Sequence, residues 1–110
     1  MLTQVEKLAT INSLLEGSFR TYPEKRLKNA WESKIFPDHG WGGNMGLITD
    51  AYFKSKYDFA LSEAKEISNE QLKELGSRIN FDESKGRPIM VFNSLNWERS
   101  DPVKYNIQFD

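Results

Sequence analysis

The residues best suited to chemistry lie close together. His39, the chain's only histidine, sits between Asp38 and Gly40, and Trp41 follows at once. An imidazole beside a carboxylate can ligate a metal or move a proton near neutral pH. A closed zinc site takes three or four protein ligands, however, and adjacent residues seldom both ligate one ion. The chain has no cysteine to supply thiolates. His39 is therefore either one donor of a site completed from elsewhere or a solvent-exposed loop histidine. Trp41 with Gly40, Gly42 and Gly43 could form the apolar ring face and close-approach backbone of a sugar or ring-stacking pocket. The alternative is a tryptophan packed over a helix end.

Other clusters carry less. Gly42-Gly43-Asn44-Met45-Gly46 precedes a helical pattern but lacks the lysine and the serine or threonine of a phosphate-binding loop, and no strand leads into it. Glu63, Glu66 and the run from Glu70 to Glu74 read as the solvated face of a helix. Asn93 to Arg99 reads as a polar turn, in which Glu98 and Arg99 could meet a ligand or only water.

The elements that must position His39 are helical. Val5, Leu8, Ala9, Ile11, Leu14 and Leu15 recur at helical spacing over residues 3–16, with Gly17 as the stop. Thr21-Tyr22-Pro23-Glu24 has the order of a capping box with proline in the first turn. It predicts a second helix with Leu27, Ala30, Trp31 and Ile35 inward, ending near Phe36 because Pro37 disfavours helix in the residue before it. Four of the seven glycines fall in the loop 37–46. A long helix is then predicted from Leu47 to about Leu75, with Ile48, Ala51, Tyr52, Phe59, Leu61, Ala64, Ile67, Leu72 and Leu75 inward and Gly76 as its stop.

Beyond Gly76 the period changes. Ile89, Met90, Val91 and Phe92 form a short apolar run, and Val103, Tyr105, Ile107 and Phe109 alternate with polar residues, so two β-strands are expected. The expected fold is thus mainly α: a three-helix bundle over residues 1–78, then residues 79–110 as linker and first strands of a truncated C-terminal β-sandwich domain. A strand pair alone is marginal, so the chain reads as a fragment whose exposed strands could pair two copies into a homodimer.

Composition excludes some classes. With 38% hydrophobic and 28% charged residues and a net charge of −1, the chain reads as an ordinary soluble domain. It carries no basic field for nucleic acid and no apolar run long enough to span a bilayer.

Three segments, taken in order, resemble glycoside hydrolase family 38, the α-mannosidases. Ala30-Trp31-Glu32 leading into Phe36-Pro37-Asp38-His39-Gly40-Trp41-Gly42 resembles the family helix whose end delivers a histidine to the catalytic zinc. Asp50-Ala51-Tyr52 through Lys56-Tyr57-Asp58-Phe59-Ala60 resembles the long family helix. Pro88 to Arg99, with Val91-Phe92-Asn93-Ser94-Leu95-Asn96-Trp97-Glu98-Arg99, is similar to the family's Val-Phe-Asn-Pro-Leu-Ser-Trp-x-Arg strand and turn.

The resemblance implies a retaining glycosidase acting on mannose-containing glycans, with zinc held by two histidines and two carboxylates. Only one of those ligands maps here, as His39, with Asp38 and Trp41 as candidate sugar contacts. Many members place aspartate after the histidine, where Gly40 stands here. No catalytic residue maps onto the chain. The nucleophile, the acid/base and the remaining ligands would come from a missing N-terminal domain, so zinc is expected in the intact enzyme and not tightly bound to the fragment. The rival expectation is a free-standing helical protein-interaction module without catalysis.

Overall fold

The computed structural model describes residues 1–35 and 46–106. Three helices dominate: α1 (Leu2–Glu16), α2 (Glu24–Ile35) and α3 (Leu47–Ser77), followed by a single 3-10 turn at Glu83–Lys85. Among the described helices none is long and apolar enough to cross a membrane.

α1 ends where expected. Gly17 takes the left-handed conformation at φ 72°, its N–H donating to Leu14 O and that of Ser18 to Ser13 O at 3.0 Å. The last orphan carbonyls are thereby satisfied, and a Cβ would resist that conformation. α2 begins after Pro23, whose carbonyl accepts the N–H of Leu27 at 2.9 Å. The expected capping box does not form, because the Thr21 hydroxyl donates back to Glu16 Oε2 at 2.6 Å. Thr21 closes the α1–α2 turn instead of capping α2. Gly76 does not stop α3, which continues to Ser77.

Side-chain contacts give the topology. Trp31 of α2 meets Glu6 of α1, Arg26 of α2 meets Glu63 to Glu70 of α3, and Asn12 of α1 meets Gln71 of α3. Consecutive helices are antiparallel, so α1 and α3 run parallel. Leu2, Val5, Leu27, Ala30, Ala60, Ala64 and Ile67 form the core, with Tyr22 and Trp31 packed at its edge. The alanines let the helices approach closely.

Several residues expected to face inward do not. Leu14, Leu15 and Ile35 are exposed, and in α3 the same holds for Ile48, Ala51, Tyr52, Phe59 and Leu61. Ile48 and Leu47 are 88% and 82% exposed, because residues 47–56 of α3 precede the level at which Leu2 of α1 and Lys34 of α2 line a common cavity with Tyr57 and Asp58.

The expected β-strand pair is absent: residues 79–106 contain no strand and, apart from the turn at Glu83–Lys85, are irregular, so the fold among the described residues is mainly α. An isolated extended segment has no ladder to join, and Pro88 and Pro102 each remove a backbone donor. The segment instead runs back over the bundle. Lys7 Nζ donates to Ser94 O at 3.1 Å, and Met90 Cε lies near the position a Cβ on Gly76 would take. Val103 and Tyr105 are exposed, with no sheet to cover them. Two-fold pairing through such strands has no strand edge among the described residues to act through, and Ile107 and Phe109 lie outside those residues.

Ile67 is fully buried and Ile48 almost fully exposed, which separates their predicted contributions. Ile67→Ala should cost about 2–5 kcal/mol and Ile48→Ala no more than about 0.5 kcal/mol, read from urea unfolding followed by helical circular dichroism.

Candidate functional site

The connection bearing His39 joins the end of α2 to the start of α3. His39, Asp38 and Trp41, with Gly40, Gly42 and Gly43, lie outside the described residues. What the structure places are the two helix ends that flank them.

α2 is held to α1 near its end. The Trp31 indole N–H donates to Glu6 Oε1 at 2.8 Å, a bond strengthened because the acceptor is a carboxylate. The Lys34 ammonium lies 5.0 Å from the centroid of the same ring, within range of cation–π attraction. Ile35, the last residue of α2, is 69% exposed, so polar contacts one turn earlier orient this end. At the other end, Gly46 is buried and its carbonyl accepts the Asp50 N–H at 2.8 Å, opening α3.

α2 is also fixed to α3 by a charge cluster that sequence reasoning placed in solvent. Arg26 donates from Nε to Glu63 at 2.8 Å, from Nη2 to Glu66 at 3.2 Å and from Nη1 to both carboxylate oxygens of Glu70 at 2.9 Å. Spacings of three and four residues put these glutamates on one helix face. Their carboxylates, Glu63 first and Glu70 next, push the guanidinium further above its usual range. Each exposed pair is worth about 0.2–1 kcal/mol. The signal available in the sequence was the i, i+3, i+7 acidic spacing together with an arginine on a neighbouring helix.

Tyr22 lies beside α1. Partial burial first, then the charges of Glu6 and Glu24, raise its phenol above the ordinary value of 10.0, opposed by a hydrogen bond with Thr10. Asn93 makes a local turn, accepting the Leu95 N–H at 3.1 Å and donating to Trp97 O at 2.7 Å. This is the exposed turn expected of that stretch, and Arg99 pairs with Asp101 beyond it rather than with the neighbouring Glu98.

The donor set decides what metal chemistry the chain could support alone. Among the described residues no three histidine, cysteine or acidic side chains converge as a metal site, and the converging glutamates are engaged by Arg26. The chain has one histidine and no cysteine, so any closed zinc site built on it would draw its other donors from carboxylates or from a second domain. No family model, no curated protein and no solved structure matches the chain.

Two outcomes follow from this geometry. Arg26→Met leaves three like charges on one face, so it should cost about 1–2 kcal/mol, and the deficit should shrink in molar salt. For Tyr22 the folded state holds the proton more tightly than the unfolded chain, so stability is present below pH 10 and lost as pH rises through the raised folded pKa. Above pH 10 the wild type should therefore lose more stability than Tyr22→Phe in urea unfolding at stepped pH.

Proposed function

We propose that this chain is the helical segment of a zinc-dependent retaining α-mannosidase, contributing His39 as one metal ligand, with Asp38 and Trp41 as sugar contacts. The remaining ligands and both catalytic carboxylates belong to a separate N-terminal domain. One observation carries the reading. α2 ends at Ile35 and α3 begins at Leu47, so the motif from Phe36 to Gly42 falls wholly in the connection between two helices that Arg26 ties together. A ligand carried on a connection between two helices, which are themselves paired further along the bundle, can be presented to another domain without disturbing the core.

The exposed first part of α3, with Leu47, Ile48 and Tyr52, supplies apolar surface against which such a domain would pack. The same surface supports the second reading, a helical protein-interaction module without catalysis. A longer reading frame carrying an upstream His-x-Asp and a separate nucleophilic aspartate belongs only to the enzyme.

Within the full reading frame, His39→Ala should lower both bound zinc and hydrolysis of an aryl α-mannoside by at least about 10–100-fold, the loss typical of perturbing even an outer-shell partner, while helical circular dichroism stays unchanged. The isolated chain should turn over no aryl mannoside above its own His39→Ala control. Normal zinc and activity in the full-length variant would remove His39 from the ligand set.

A further inference from the structure

An open-mouthed cavity of about 300 Å³ lies where α1 begins, α2 ends and α3 passes between them. Its floor is core: Leu2, Ala60 and Ala64 are all buried. Leu61 and Tyr57 form its walls, each nearly half exposed, and Lys34 and Asp58 stand at its rim. The volume is at the lower end of small-molecule sites. The two alanines leave the space, because the core that fixes their positions provides no side chain long enough to fill it.

The rim charges are not equivalent. Asp58 is already paired with Lys54 one turn away at 2.5 Å. Lys34 lies over the Trp31 ring at 5.0 Å and forms no ion pair with a carboxylate among the described residues. An ammonium resting on a ring face keeps donors free for an anion. An apolar floor beside a cation that has no carboxylate partner among the described residues, with Met1 also lining the cavity, selects a ligand of matching polarity.

We propose that this cavity binds an anionic amphiphile, with an apolar ring or short alkyl body on Leu2, Ala60 and Ala64 and a carboxylate or sulfonate paired to the Lys34 ammonium. The inference is independent of the glycosidase reading, since it uses neither His39 nor its loop.

The test uses the whole chain, with 1-anilinonaphthalene-8-sulfonate as fluorescent probe and monomeric decanoate as competitor. One equivalent of probe should bind and be displaced by decanoate, but not by decyltrimethylammonium. Lys34→Met, which keeps most of the stem, should weaken both anions about five- to ten-fold. Leu61→Asn, on an exposed wall, should weaken them with helical circular dichroism unchanged. Equal competition by the cation, undiminished affinity in Lys34→Met, or capture only by phosphatidylglycerol vesicles and not by monomeric decanoate would each overturn the proposal.

Discussion

Everything in this molecule leans on one short stripe of α3. Ala60, Ala64 and Ile67 are buried and lie on one face at spacings of four and three residues, where both other helices meet. Two of the three are alanines, so α1 and α2 can approach closely, yet little apolar area is gained per contact. Leu2, Val5, Leu27 and Ile67 are the larger side chains that must fill the space, each contributing about 1.5–3 kcal/mol by burial. In so small a core the directional contacts matter more than usual. The Asn12 amide reaches the main-chain and side-chain oxygens of Gln71 at 2.8 and 2.9 Å, and Arg26 spans three glutamates. A one-turn slip of either helix along α3 would break these contacts while leaving much of the apolar packing possible.

The helices themselves were legible because their signals are local. A glycine that can enter the left-handed region marked the end of α1, and prolines on either side bracketed α2. The inward face of α3 was legible only in its second half. Ile48, Tyr52 and Phe59 also follow helical spacing, but on a different face from Ala60, Ala64 and Ile67. Periodicity identifies a face without saying whether anything covers it, and α1 and α2 are too short to reach the start of α3. The strands failed for a related reason: the alternation at Val103 and Tyr105 describes a side-chain pattern, whereas a strand exists only when another backbone takes its hydrogen bonds.

The candidate site divides in the same way. Its location between two helix ends could be read from Ile35-Phe36-Pro37 and from the glycines before Leu47. Its supports could not, since Glu6, Trp31, Arg26 and Lys34 acquire their roles only when α2 folds back antiparallel to both neighbours. Nothing local to Arg26 in the sequence marks it out, and its role appears only where Glu63, Glu66 and Glu70 face it. A ligand carried on the connection after Ile35 would be only as well placed as the helices on either side of it.

The orientation of the last turn of α2 then has a specific cause. Ile35 is exposed and Leu27 and Ala30 are the buried residues of α2, so apolar packing anchors the first two-thirds of the helix and leaves its last turn without a buried side chain. Trp31 takes over there. Its indole N–H is fixed on Glu6 of α1 and its ring face carries Lys34, which joins the last turn to α1 through one aromatic side chain. A phenylalanine at this position would preserve much of the edge packing and still release the end of α2, because it has no N–H to hold the carboxylate. The hydrogen bond, more than the burial of the ring, orients the residues that lead into the Asp38-His39 connection, and the same ring positions the ammonium at the rim of the apolar cavity. The two candidate functions of this end of the bundle therefore share one support while using different residues.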